Sequence, residues 1–414
     1  MQKFLRQFAS WVVGLAIFAT AGFAAQAATK AAAPAASAAK DPWTIIVDTD
    51  SALPVRVSGA TPELNGLAQR AFATHGRYRL VARDFAYDIQ FTPAGAAAVR
   101  VDITKGVGGA KVASEIVSGL TLKNALYRAA DLAVEKTNGL GLRGYFTARL
   151  AFLRDFGRAK EVCNSDLFFT DVLQNTRFNV QALSPRFSPD GSRILFTSFL
   201  KTFPDIYQVE AGSASPTVFA KFQGTNTGAR YSPNGQRVAM VLSCEGSPEI
   251  YVSPAGPVAR PTRLTRSDLA KSSPCWSPDG GRIVFAMEPG PQLYVMSAAG
   301  GAPSRLVTGF SYAAEPDWSR TNPNKIAFTV RVGSQFRIAI YDFAKGRAEE
   351  VKMPNPPFDA VEPSWLADGR HLVYTAHSRT ENRICILDTE TGKSTPISPA
   401  SGFGSALQAN VWTP

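Results

Sequence analysis

Apolar residues recur along this chain in two rhythms, and the change between them divides it. From about residue 60 to 140 the rhythm is mixed. Leu64, Leu67, Ala68, Ala71 and Phe72 fall at helical spacing behind Thr61-Pro62-Glu63, a capping threonine followed by a proline at the first helical position; this predicts a helix that stops at His75-Gly76. Leu122, Ala125, Leu126, Ala129, Leu132 and Ala133 form a second stripe, which predicts a helix over 121–137 closed by Asn138-Gly139. Between and before these helices, β-rich runs predict strands at 44–47, 78–81, 87–92, 97–103 and 111–117. The result is a small α/β domain, expected to be independent of the C-terminal two thirds of the chain.

From Arg149 onward the rhythm is strand-like and repeats. Pro274 to Gly280 read Pro-Cys-Trp-Ser-Pro-Asp-Gly, and a basic residue with an apolar run comes next, Arg282 to Phe285. Here Pro278 presets φ, Asp279 bonds its own backbone and Gly280 relieves crowding, so the stretch reads strand, tight turn, strand. Copies of the turn end at Gly191, Gly235, Gly280, Asn324 and Gly369, at intervals of 44 or 45 residues. That period is the signature of a four-stranded propeller blade. The second-strand pattern has six copies, beginning at Arg149, Arg193, Arg237, Arg282, Lys325 and Arg370. The final half-copy at Trp412 supplies a first strand without a successor, and the stretch from Arg149 supplies strands without a predecessor. Pairing them closes a six-bladed ring and leaves no long sheet edge exposed. The expected fold is therefore mainly β: a six-bladed β-propeller over 148–414 preceded by an α/β domain over 42–147. The aspartates of the turns and the aromatics Phe187, Tyr231, Trp276, Trp318, Trp365 and Trp412 are expected to be turn formers and packing between blades.

Composition narrows the setting. The chain has 414 residues, 45% of them hydrophobic and 19% charged, which suits globular packing. The 44 Lys+Arg outweigh the 33 Asp+Glu by 11 but are scattered, so a solvated basic surface is expected and nucleic acid is not. Lys3 and Arg6 ahead of an apolar run, with Ala25-Gln26-Ala27 behind it, read as an export signal over 1–27. An Ala-rich tether comes next over 28–41, and no later segment is apolar for 18 residues, so no transmembrane segment is expected after cleavage. The expected compartment is the periplasm. Cys163, Cys244, Cys275 and Cys385 allow three pairings, and free thiols are the expected state.

Candidate chemistry is sparse. The three histidines, His75, His371 and His377, have no metal-ligand spacing, and His75 is expected to serve the helix end with a partial positive charge. There is no GxSxG elbow, and Gly106 to Gly109 reads as a hairpin turn, not a phosphate loop. No catalytic residue, metal or cofactor is expected. Glu315 and Glu362 each precede a proline at the start of an innermost strand, so they are expected to ring a mouth of the central channel with Ser184, Gly228 or Ala229, Ser273, and Gln408 or Ala409. Such a ring suits docking; an acid/base pair formed by the two glutamates is the enzymatic alternative, and a propeller binding another protein or glycan is a third reading.

These features together resemble the TolB family, the periplasmic propellers of the Tol–Pal system. The repeat match runs from Arg149 to Pro414; Trp43 to Asp48, His75 to Arg83 and Gly139 to Leu150 resemble the family's N-domain. The resemblance implies a non-enzymatic adaptor, with a Pal-like peptidoglycan-associated lipoprotein on one propeller mouth and a TolA-like inner-membrane protein engaged through the N-terminal region. Carried onto this chain, the docking element is Ala314-Glu315-Pro316-Asp317-Trp318 with Ser272-Ser273-Pro274 beside it, and Ser184, Ala229 and Glu362 of the channel rim complete the expected docking positions. The chain departs from the family in a shorter N-domain, in a proline-rich segment reduced to Leu53-Pro54-Val55, and in the tether that stands where the family has its TolA-binding segment. Those departures count against the TolA contact.

Overall fold

A computed structural model describes residues 43–45, 52–256, 260–354, 356–400 and 402–414. The expected export signal and tether lie outside them, as does most of the expected strand at 44–47, of which Ile45 forms a single bridge to Ser394.

The N-terminal part is a five-stranded sheet covered by two helices. Its strands are β1 (Leu53–Gly59), β2 (Tyr78–Leu80), β3 (Tyr87–Gly95), β4 (Ala98–Lys105) and β5 (Lys111–Ser118), in the order β2-β1-β3-β4-β5. The strand missing from the sequence reading is β1, which pairs in parallel with both β2 and β3. Helix α1 (Pro62–Thr74) is capped by Thr61, whose hydroxyl accepts from the Leu64 amide at 3.3 Å; α2 (Leu122–Thr137) is capped likewise by Thr121. Both bury their apolar stripes on the sheet, and Gly139 takes the left-handed φ of 66° past the end of α2.

The rest is six four-stranded antiparallel blades. Five are continuous in sequence, with first strands Ala182–Phe187, Asn226–Tyr231, Lys271–Trp276, Ala313–Trp318 and Asp359–Trp365. The sixth takes its first strand from the C-terminus: Ser405–Trp412 pairs with Arg149–Asp155, and Lys160–Asp166 and Leu173–Gln174 complete the sheet. The turns between first and second strands use local hydrogen bonds. At Ser277 to Arg282 the Ser277 hydroxyl accepts from the Arg282 amide at 2.9 Å, the Asp279 carboxylate accepts from Gly281 at 3.0 Å, and Gly280 takes φ 69°. The aromatics that end the first strands are at most partly exposed and pack between blades. Trp276 and Trp365 reach back with the indole N–H to the carbonyls of Arg230 and Asp317 on the preceding blade, at 2.9 and 3.1 Å.

The two parts are not separate globules. One apolar cluster runs from Val55, Phe72 and Leu126 through Phe146 into Phe152, Val373 and Val411, and residues 42–414 form one compact unit. A buried polar pin adds to it. The Gly76 amide donates to Nε2 of His371 at 3.0 Å, the His371 Nδ1 bonds Asp368, and Asp388 packs on the Gly76 α-carbon while it accepts both Arg370 nitrogens at 2.9 and 2.7 Å. His75 therefore does not serve as an exposed charge at a helix end. It is fully buried among His371, Tyr145 and Tyr78, and desolvation holds it well below the ordinary imidazole range, in the neutral form.

Candidate functional site

The six first strands line the central channel, and each carries the same irregularity. Two residues of the first strand stand opposite one of the second: Ser184 and Pro185 face Phe196, Glu315 and Pro316 face Phe328, and Glu362 and Pro363 face Tyr374. The leading residue of each bulge lies in the left-handed region, at Ser184 (φ 52°), Gly228 (63°), Ser273 (52°), Glu315 (56°), Glu362 (57°) and Gln408 (55°). Only Gly228 adopts this conformation without steric cost. The second bulge residue is proline in four blades and alanine in two, because the ladder there asks for no amide donor.

The bulges turn these six residues into the channel, where each is half-buried. Their side chains stitch neighbouring blades together. Glu315 accepts from the Thr329 hydroxyl at 2.7 Å and from the Glu362 amide, one blade on, at 3.1 Å. Glu362 accepts from the Thr375 hydroxyl at 2.9 Å and from the Gln408 side-chain amide at 2.6 Å. Gln408 in turn accepts from the Ser184 amide at 2.7 Å, across the seam where the ring closes. Desolvation, and then the charge of Glu362, push the Glu315 carboxyl up to about 7; burial also raises Glu362. The Thr375 and Gln408 bonds, which favour the charged form, oppose that rise.

The structure thus puts Ser184, Ser273, Glu315 and Glu362 in one ring with Gly228 and Gln408. Ser272 is adjacent and half-buried. Ala229 and Ala314 point away into the apolar clusters between blades, where each is nearly inaccessible. The positive φ at Ser, Glu and Gln had no signal in the sequence beyond Gly228 and the recurring proline.

A second layer lies two residues further along each strand: Arg186, Arg230, Cys275, Asp317, Ser364 and Asn410. Here too a side chain on one blade accepts a backbone amide of the next blade's first strand, three residues past its leading bulge residue. Asp317 bonds Trp365 at 2.8 Å, Ser364 bonds Val411 at 3.1 Å, Asn410 bonds Phe187 at 2.9 Å and the Cys275 sulfur bonds Trp318 at 3.3 Å. Burial raises the Cys275 thiol, so it is a neutral acceptor here and not a nucleophile.

One group with metal-ligand atoms within 4.8 Å of one another exists among the described residues: His75, Asp368 and His371. Both nitrogens of His371 are engaged by Asp368 and Gly76, and Nδ1 of His75 accepts from the Arg77 amide at 3.3 Å. The group works as the pin between sheet domain and propeller. Sequence reasoning missed it because its two sides are far apart in sequence, with Gly76 and His371 separated by 295 residues.

A model of the TolB beta propeller domain, PD40, matches residues 137–414. The Tol-Pal system protein TolB of Bordetella pertussis is 34% identical over 243 residues, 57% of this chain and 55% of that protein. The protein of the same name from Cereibacter sphaeroides is 38% identical over 105 residues, 24% of this chain and 23% of its own. The matched stretch thus spans about half the length of the Bordetella relative and less of the other. The crystal structure of TolB from Acinetobacter baumannii superposes with a TM-score of 0.76 at 20% identity, covering 87% of this chain and 97% of that one; at that identity the likeness is one of fold.

Proposed function

The chain belongs to the TolB β-propeller family, and from that membership we propose that it is a non-enzymatic adaptor of a Tol–Pal system. In this reading the ring of six bulges receives a Pal-like peptidoglycan-associated lipoprotein, and the protein acts in the periplasm in support of outer-membrane integrity and cell division.

The observation that carries the reading is the state of the two glutamates. An acid/base pair needs carboxylate oxygens free to meet a substrate. Both oxygens of Glu362 and one of Glu315 are already held by a hydroxyl of the same blade and by an amide or a glutamine of the next. They define a rigid, polar rim, which suits recognition of a complementary surface. The export-signal pattern over 1–27 supports the compartment, and among the described residues no helix is long and apolar enough to cross a membrane. Contact with a TolA-like protein through the N-terminal region is the weaker part of the proposal, because the tether over 28–41 stands in place of the family's TolA-binding segment.

Capture from envelope extract tests the reading. The wild-type chain is expected to retain a Pal-like lipoprotein, and Glu315→Lys to lose it at least tenfold while keeping its circular dichroism. Retention by Glu315→Lys at wild-type strength removes the ring as the site; turnover of an envelope polymer that disappears in Glu362→Gln overturns the adaptor reading.

A further inference from the structure

The turn-side end of the channel has a chemistry that the docking reading leaves unused. A cavity of about 100 Å³, open to solvent, is lined there by the guanidinium groups of Arg186, Arg230 and Arg320 and by one carboxylate, Asp317. None of the six bulge residues lines it. Arg230 is matched: it donates to Asp317 at 2.7 Å and to the Cys275 sulfur at 2.7 Å. The other oxygen of Asp317 is taken by the Trp365 amide at 2.8 Å.

That leaves two guanidinium groups without a contact ion pair among the described residues, with Asp317, already bonded to Arg230, and Glu362 as the carboxylates that act on them at longer range. Among the described residues Arg186 makes one side-chain hydrogen bond, to the carbonyl of Pro185 at 2.9 Å, and neither it nor Arg320 has a carboxylate within ion-pair distance. Burial, reinforced by the neighbouring Arg230, pushes the Arg186 guanidinium down to about 10. Like charges gathered between the walls of Trp276, Trp318 and Trp365 are costly unless something negative enters. A guanidinium fork matches a pair of oxygens on one small group, and a low-polarity wall strengthens the match.

We propose that this end of the channel binds a small multivalent oxyanion, a polycarboxylate or a phosphate, gripped by Arg186 and Arg320 with Arg230 as a fixed third arm. The site is separate from the bulge ring, so its failure leaves the partner reading untouched.

Citrate and pyrophosphate, each compared with sodium chloride of equal ionic strength, test the site on the full chain by calorimetric titration and thermal unfolding. The expected result is one-to-one binding by at least one of them, with Tm raised by about 2–4 °C at a hundredfold excess over Kd. Arg186→Gln and Arg320→Glu should each weaken binding tenfold or more, whereas Arg305→Gln on an outer strand should not. Whichever anion binds more tightly identifies carboxylate or phosphate as the natural chemistry. Arg186→Gln should keep or raise the anion-free Tm, because it removes a repulsion; this separates lost binding from lost folding. Arg320 is an exposed residue at the mouth of the cavity, so its variant supplies a second check should Arg186→Gln fail to fold. A shift no larger than the salt control, or equal affinity in Arg320→Glu and the wild type, overturns the proposal.

Discussion

At Gly76 a single methyl group separates a docked from an undocked sheet domain. A Cβ there would collide with the Asp388 carboxylate and lie 2.5 Å from its Cβ, and Asp388 is already fixed by Arg370. Gly76→Ala is expected to lower stability by about 2 kcal/mol or more, visible as an earlier thermal transition and as new proteolytic cleavage near residue 76. Glu315 makes a prediction of the opposite sign. Its folded carboxyl titrates near 7, above the ordinary glutamate value, so the native state holds its proton over the window between about 4.5 and 7. Stability from this group is present below that window and lost as pH rises through it. Tm of the wild type should therefore fall between pH 5 and pH 8 relative to Glu315→Gln, by an amount equivalent to about 1–2 kcal/mol after solvent screening; parallel pH profiles would refute the assignment. Residue by residue, the sequence was readable where chemistry is local. Glu315 and Glu362 declare their place by the proline at the next position. The left-handed backbone beneath them, and the meeting of His75 with His371, depend on the rest of the ring and are written nowhere nearby.

Among elements, the most consequential is the C-terminal strand Ser405–Trp412. It pairs with Arg149–Asp155, and its side chains reach the opposite neighbour: Asn410 accepts the Phe187 amide, and the Trp412 indole donates to the Pro189 carbonyl at 2.9 Å. Asn410→Leu keeps the branched outline of the side chain but leaves a buried amide unpaired, at a cost of about 1–3 kcal/mol measurable by urea titration. Removal of residues 405–414 should abolish the single sharp transition altogether. The blades were legible because each turn carries its own Ser-Pro-Asp-Gly instruction and because a period of 44 or 45 residues has few other meanings. Strand β1 was not, because Pro54 near its start reads as a breaker. The proline is accommodated at the second residue of the strand, and the alternation of Val55 and Val57 is too short to stand out.

For the whole molecule, the shared core decides how it unfolds. The sequence suggested an independent N-terminal domain, because the change of rhythm near residue 140 looks like a boundary. In the structure Phe146 sits within 4.9 Å of Phe72 on one side and stacks on Phe168 at 6.4 Å on the other, so the boundary is packed through. Phe146→Ala should cost about 3–5 kcal/mol. Tryptophan fluorescence, dominated by the blades, and far-ultraviolet dichroism, which includes α1 and α2, should shift together; two separated transitions would show that the parts melt independently. The clasp formed by the last strand also sets an order of events in time. That strand emerges after everything it must join, so a chain emerging from its N-terminus can shape five blades while the sixth waits half-built. Any message cut short before codon 405 would release a horseshoe with two raw edges, ready to adhere to its own kind.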